Sequence, residues 1–168
     1  IEMALKADRN ELDVDISFFY DEDTATRGGV VILDTVGSGA AMDQSQAKVK
    51  YGDVVDASIP VGILLNDVVN IDLTRQHINW HKDEVQKGNK VAILKKGTIV
   101  TNMIDTSTHG SSPTAGQVAY ASSGTAGYFS NSYSHAAGDD ESLAVGRFMS
   151  TVDEDGYAKI EINLPNHG

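Results

Sequence analysis

Apolar and polar residues alternate with a period of two in several segments of this chain, as they do in half-buried β-strands. The first such segment places four apolar side chains on one face: Leu12, Val14, Ile16 and Phe18. Its other face consists of Asp13, Asp15, Ser17 and Phe19. The last segment alternates in the same way, with an apolar face formed by Ala158, Ile160, Ile162 and Leu164 and an outer face formed by Tyr157, Lys159, Glu161 and Asn163. The pattern predicts two half-buried strands, the first with an acidic outer face.

Three shorter apolar runs are typical of strands buried on both faces, and each follows a glycine-containing turn. The runs are 30–33, 91–94 and 118–120, and the turns contain Gly28-Gly29, Gly88-Asn89 and Gly116. Asp155-Gly156 precedes the last strand and favours a tight turn, so we predict a hairpin there. Helical periodicity is poor: segments 76–87 and 40–48 are the best candidates, and we expect one short helix at most.

These patterns predict an all-β fold made of one or two small β-barrel or sandwich modules. We place an extended N-terminal region with one strand at 1–27, a first β-module at 28–104 and a second β-module at 105–168. Long Ser- and Gly-rich loops fall between residues 105 and 141, and loops of that length usually have a function or are ordered by a neighbour. A short echo between 59–68 and 143–152 leaves open whether the two modules are repeats.

The formal net charge of −11 narrows the range of partners. It argues against nucleic acid, whose phosphates require a basic surface, and against anionic membranes. The chain has no cysteine, so it has no disulfide and no cysteine-based metal site. No apolar run is long enough to span a bilayer. Residues 1–15 alternate charged and apolar positions, unlike a signal peptide, and the start at Ile1 suggests a trimmed N-terminus.

Two histidines have the spacing of zinc ligands on a helix. His77 and His81 would share a helical face with Glu84, but Ile78 stands where a metalloprotease helix has its glutamate. On a strand the two histidines would still share a face. We therefore expect solvated or packed polar residues on an element that Trp80 anchors, with a metal site as the minority interpretation.

The remaining candidate chemistry is weaker. Segments 153–156 and 21–23 resemble the opening of a calcium loop but lack the further oxygen ligands, so we expect a hairpin turn and an exposed acidic turn. His109 and His135 lie in loops with no acid placed beside them by sequence, and no Gly-x-Ser-x-Gly elbow or phosphate-binding loop is present. A Ser/His/Asp triad assembles in space and so is not excluded. We assign no catalytic residue, no metal ligand and no cofactor.

Basic residues are concentrated between Arg75 and Lys96, whereas the N-terminal third is acidic. This distribution is either ordinary surface charge or the sign of a bipolar molecule whose two ends fit complementary surfaces. By alternation Phe18 belongs to the core and Phe19 points outward with the acidic residues. The partner-binding residues that we predict are Phe19, Tyr20, Arg75, Trp80 and Lys82.

Two sets of segments resemble known structural proteins of tailed phages. Segments 61–79 and 91–97 form the first set. Segments 116–120, 145–150 and 153–159 are similar to the C-terminal β-module of phage head decoration proteins, in which a Gly-x-Val-Ala-Tyr strand precedes a Val-Gly strand and a final hairpin.

The resemblance implies a β-rich cement protein with no active site, which binds the major capsid protein on the outer surface of an assembled phage capsid and stabilises it. It also implies a homotrimer, with a dimer as the alternative. Another virion component, such as a tail, neck or fibre-base protein, shares the same composition. An alternative of a different class is a hydrolase or a carbohydrate-binding module that uses the Ser/Thr/Tyr-rich loops.

Overall fold

The computed structural model describes residues 3–34, 47–51, 59–70, 84–106, 111–132 and 144–164. These residues form eleven strands: β1 (Asn10–Tyr20), β2 (Val30–Leu33), β3 (Lys48–Lys50), β4 (Pro60–Leu64), β5 (Asp67–Val69), β6 (Glu84–Gln86), β7 (Lys90–Thr101), β8 (Val118–Ala121), β9 (Phe129–Ser130), β10 (Ala144–Phe148) and β11 (Ala158–Asn163). The described residues include no helix, and hence none with the length and apolar character to cross a membrane. The all-β prediction is confirmed.

Nine of the strands form one sheet in the order β1-β3-β2-β4-β7-β11-β10-β8-β9, and β5 and β6 form a separate parallel pair. Because β1 pairs with both β3 and β7, the pairings among β1, β3, β2, β4 and β7 return to their starting strand and close a ring. Strand β7 continues beyond this ring. Its Ile93 lies between β1 and β4, whereas its Lys96 lies between β1 and β11.

The buried apolar residues form two clusters, one on each side of the strands that they share. The first cluster has a residue from every strand of the ring: Tyr20, Val31, Val49, Val61 and Ile93. The second lies between the opposite faces of β2, β4 and β7 and the strands β8 to β11, and includes Ile32, Ile63, Leu94, Phe129 and Phe148. Alternate side chains of β2 thus enter different clusters, which explains why a run such as 30–33 is apolar throughout.

Strand β11 has the alternation that the sequence predicts. Ala158, Ile160 and Ile162 are buried, while the side chains between them are exposed. Strand β2 has the predicted bounds, and Gly28, Gly88 and Gly116 adopt positive φ angles in the turns predicted to contain them. Hence both kinds of local signal, alternation and glycine turns, identified real elements.

The predicted hairpin is confirmed, since β10 and β11 pair in antiparallel orientation across the turn that contains Asp155 and Gly156. The Asp153 carboxylate accepts hydrogen bonds from the backbone N–H groups of Asp155 and Tyr157, at 3.0 and 2.8 Å. The side chain of Asp153 is therefore engaged in holding the turn, in line with the predicted turn rather than a calcium loop.

The burial predicted for Tyr157 and for β8 was wrong. Tyr157, assigned to the outer face, is buried, because it precedes β11 and packs under the N-terminal segment, where its hydroxyl donates a hydrogen bond to the Met3 carbonyl at 2.5 Å. Strand β8, expected to be buried on both faces, buries Ala119 and Ala121 but leaves Val118 and Tyr120 only partly buried, since just one of its faces packs in the core.

The helices predicted for 76–87 and 40–48 were wrong in their C-terminal parts, which form strands. Glu84–Gln86 pairs in parallel with β5, and Lys48 begins β3 between β1 and β2. Pairing with distant strands overrides weak local helical preference. The rest of each candidate, 76–83 and 40–46, lies outside the described residues.

The proposed domain boundaries cut through hydrogen-bonded pairs. Strand β1 of the N-terminal region pairs with β7 of the first module, and β11 of the second module pairs with β7 over six positions. The division at residues 27 and 104, the separate modules and the internal echo stay predictions.

Candidate partner-binding surface

Strand β1 presents apolar side chains to solvent. Leu12 is 73% exposed, Ile16 66% and Val14 38%. The sequence prediction that this face is buried was wrong, since these residues lie among the few large apolar side chains that the described part of the chain leaves exposed. We call Leu12, Val14 and Ile16 the β1 stripe.

The pairing of β1 with β7 explains the exposure of the stripe. The register shifts between Glu11 and Asp13, between Asp13 and Val14, and between Asp15 and Phe18. Residues 11–18 of β1 lie opposite residues 91–97 of β7, so β1 contains one more residue than its partner over this stretch. Such irregularities bend a strand and redirect its side chains. Leu12 and Ile16 both fall within them, and both point to solvent.

Gly97 allows β1 to approach β7 at this irregular stretch. Its φ angle is 150°, and a Cβ atom placed on it would collide with the carbonyl oxygen of Asn10. Only glycine combines that backbone angle with so close an approach. The path of β1 thus depends on a residue that lies more than 80 positions from the stripe in sequence.

The first part of β1 is also a sheet edge. One edge of β1 pairs with β7, and its other edge pairs with β3 only at Phe19 and Tyr20. Within the described ranges, no strand pairs with that second edge over residues 10–17. Soluble proteins commonly protect such edges with charged residues and bulges, and β1 has both.

Acidic residues flank the stripe. The Glu11 carboxylate pairs with Arg9 at 2.5 Å, and the Asp15 carboxylate pairs with the Lys95 ammonium at 2.8 Å. Asp13 is exposed and has no ion-pair partner among the residues that the structure describes. The stripe is therefore an apolar surface with a negative rim, of which Asp13 is the least compensated member.

Asp15 links the stripe to β7 in a pH-dependent way. Its partial burial alone would raise its pKa, but hydrogen bonds from Lys95 and Ser17 outweigh that effect and hold the pKa at about 2. Because the folded-state pKa is below the ordinary value of 3.8, this stabilisation is present above pH 4 and is lost as the pH falls toward 2.

We accordingly expect Asp15→Asn to lower the free energy of unfolding more at pH 6 than at pH 2.5. Urea denaturation of the variant and the unmodified protein at both pH values measures this difference. Asp13→Asn is the matched control, since the Asp13 carboxylate lacks the lysine partner. An equal loss for Asp15→Asn at the two pH values would contradict the assigned role of the Lys95 pair.

The two aromatic residues predicted to contact a partner lie in different surroundings. Phe19 is partly buried, with the Lys90 ammonium 5.6 Å from its ring centroid. Tyr20 is fully buried and packs edge-to-face on Tyr51, with ring centroids 6.0 Å apart. Its hydroxyl donates to the Glu22 carboxylate at 2.7 Å, and burial together with this neighbour raises the pKa of Tyr20. Tyr20 is thus a core residue of the described chain and has no surface to offer a partner.

The other three predicted contact residues, Arg75, Trp80 and Lys82, lie outside the described residues. The basic segment to which they belong is partly described, and it meets the acidic N-terminal region within the same chain. Lys95 pairs with Asp15, and Lys87 pairs with Asp23 at 2.9 Å. These pairs neutralise part of the charge that a bipolar molecule would offer to external partners.

Within the described ranges, no group of three or more His, Asp or Glu side chains has the arrangement of a metal site. The acidic turn at 21–23 is engaged in the fold: Asp21 pairs with Lys48 at 3.2 Å, Glu22 accepts from Tyr20, and Asp23 pairs with Lys87. His77, His81, His109 and His135 lie outside the described residues, so the metal and triad interpretations that involve them stay untested.

A cavity of about 780 Å³ lies beside the β5–β6 pair and is lined in part by Met3, Arg27, Tyr51, Asp67 and Met103. The backbone N–H of Arg27 donates to the Asp67 carboxylate at 2.9 Å. The Tyr51 hydroxyl donates to the Thr26 carbonyl at 2.5 Å and accepts from the Gly29 N–H at 3.1 Å. These hydrogen bonds hold the 24–29 loop in place beside the cavity.

The family model described as structural cement protein (E217 gp24/Pam3 gp6) matches residues 11–163. The matched region runs from the second residue of β1 to the last residue of β11 and so includes the β1 stripe. No curated protein matches the chain.

Proposed function

Since the chain belongs to the structural cement protein family of phages, we propose that it stabilises the capsid by binding the outer surface of the assembled shell. Stabilisation of a capsid by a structural protein is the function of the family. The proposal adds the outer position of this protein, the major capsid protein as its partner, and a homotrimer, or a dimer, as the bound form.

The observation that carries the proposal is the β1 stripe. A protein that folds and acts alone gains solubility by covering apolar residues, yet this chain exposes three of them within five residues on an edge strand. By contrast, the core side chains Ile93, Phe129 and Phe148 are fully buried. A rigid β-scaffold that displays an apolar surface is suited to gripping another protein.

Binding to the assembled shell stabilises it by mass action. A ligand that binds the assembled form, and not its separated subunits, shifts the equilibrium toward assembly. A symmetric oligomer multiplies this effect, because each further contact forms at a high effective concentration once the first is made. Several contacts of modest individual affinity then give a high overall affinity for the shell.

The chain acts as a binder and carries no reaction of its own in this proposal. Support comes from the described ionisable residues, which are used in turns and ion pairs: Asp153 holds a hairpin, Asp23 pairs with Lys87, and Asp15 pairs with Lys95. Each of these three carboxylates has a structural role in the scaffold.

Titration of the purified protein onto capsids that lack it tests the proposal. We expect binding to saturate at a fixed number of protein copies per capsid. The melting temperature of the shell should rise as the sites fill. Free major capsid protein that has not assembled is the control and should bind weakly. An unchanged shell melting temperature at a large excess of protein would contradict the proposal, and binding to tails or necks instead would favour another virion role.

A further inference from the structure

The irregular pairing of β1 presents Leu12 and Ile16 at a defined position on a rigid strand. Val14 lies between them and is also exposed, so the three side chains form a short apolar row beside an unpaired sheet edge. Single exposed apolar residues are common on protein surfaces and need no explanation. Three in one row, directed outward by register shifts in their own strand, indicate a surface that another molecule covers.

The charges around the stripe distinguish between possible occupants. Every charged residue between positions 10 and 17 is acidic. If two copies of the chain paired through this edge, the acidic residues of one strand would lie beside those of the other, and Asp13 has no cation among the described residues to offset the repulsion. Like charges on adjoining strands are destabilising, so the stripe is poorly suited to self-association.

The complement that fits is an apolar surface with basic residues around it. Arg9 and Lys95 already compensate Glu11 and Asp15, whereas Asp13 remains available to a basic group of a partner. Apolar contact then supplies most of the affinity, and charge complementarity at the rim supplies orientation and rate of association.

We propose that the β1 stripe is the capsid-contacting surface, and that it docks on an apolar patch of a capsid subunit that is bordered by lysine or arginine. This inference rests on the proposed function and adds the contact residues and the chemistry of the partner surface. Leu12 and Ile16 are the anchors, Val14 fills the space between them, and Asp13 pairs with a basic residue at the rim.

The test compares the double variant Leu12→Ser/Ile16→Ser with the unmodified protein in titrations onto capsids that lack the protein. We expect the affinity per site to fall about 100-fold, and about tenfold for each single variant, from the apolar burial that serine cannot provide. Urea denaturation of the variants should match that of the unmodified protein, because both positions are exposed in the free chain.

The matched controls are Ile59→Ser and Met149→Ser. These side chains are 52% and 48% exposed and lie outside β1. Both variants should bind capsids within about twofold of the unmodified protein, which separates a specific surface from a general loss of apolar area. Asp13→Asn should bind more weakly at low salt and show a smaller loss of affinity as salt rises.

The outcomes separate the two claims. If the unmodified protein binds and the double variant binds within about threefold of it, the inference is overturned and the proposed function stands. If the double variant changes the sedimentation of the free protein from oligomer to monomer, the stripe joins copies of the chain, and the inference is also overturned. No binding by the unmodified protein overturns the proposed function, and the inference with it.

Discussion

Replacement of Gly97 by alanine is expected to destabilise the fold by about 3 kcal/mol or more, and to release the first half of β1 from β7. Two costs add at this position. An alanine is strained at a φ angle of 150°, and its methyl group would occupy the space of the Asn10 carbonyl oxygen. Since a backbone atom cannot rotate away as a side chain can, the strands must separate.

Gly88→Ala is the matched control for Gly97→Ala. Gly88 also has a positive φ angle, of 80°, but a Cβ atom placed there would meet no neighbour within 4 Å. Its replacement should cost only the backbone strain, about 1 kcal/mol. Urea denaturation measures both losses, and hydrogen exchange of the amides in β1 reports its release. Equal losses for the two variants would show that the close approach at Gly97 does not matter.

Phe148→Ala is expected to lower the free energy of unfolding by about 3–5 kcal/mol. Phe148 is the last residue of β10, is fully buried, and belongs to the cluster that joins β2, β4 and β7 to β8–β11. The substitution removes a buried ring and leaves a cavity that the flanking strands are poorly placed to fill, because β11 also pairs with β7 and β8 also pairs with β9.

Met149→Ala is the control for Phe148→Ala, because Met149 is the next residue along the chain and its side chain is 48% exposed. We expect it to cost less than about 1 kcal/mol. Chemical denaturation of the two variants side by side gives the comparison. A loss below about 1 kcal/mol for Phe148→Ala would mean that the second cluster does not hold the strand layers together.

The sequence predicted well those strands whose burial follows directly from their local pattern of apolar residues. Residues 158–163 of β11 pair with β7 at six successive positions without a register shift, so strict alternation in sequence becomes strict alternation of burial. Residues 30–33 are apolar throughout because their two faces enter two different clusters. In both segments the local pattern and the tertiary environment agree.

The exposure of β1 was not predictable from its own residues. Its alternation is as clear as that of β11, but its irregular pairing with β7 turns Leu12 and Ile16 outward. The register shifts depend on where β7 lies and on the close approach at Gly97, and neither is encoded within residues 10–20. The sequence predicted an acidic outer face for this strand and did not predict that its apolar side chains are exposed.

The candidate contact residues show a different limit. Alternation places Tyr20 on the same face as Phe18, and the structure buries it in the core, where it packs on Tyr51. Position next to an acidic turn does not distinguish a surface aromatic from a buried one. Charge distribution along the sequence likewise does not show which charges pair within the chain. Lys87 and Lys95 of the basic segment form ion pairs with acidic residues of the N-terminal region.

The fold links these features to capsid stabilisation. Strand β7 lies at the centre, with β1 on one side and β4 and β11 on the other. A load applied to the β1 stripe is therefore transferred to β7 and from it to both clusters. Under the proposed docking mode, a strand anchored in this way keeps its position, which lowers the entropy cost of association with the shell.

A cryo-EM map of capsids reconstituted with the purified protein tests the central claim most directly. We expect added density on the outer face of the shell, with residues 10–17 of β1 against a capsid subunit and with Leu12 and Ile16 covered by apolar side chains next to a lysine or arginine. Density on the inner face, or a bound protein whose β1 stripe faces solvent, would contradict it.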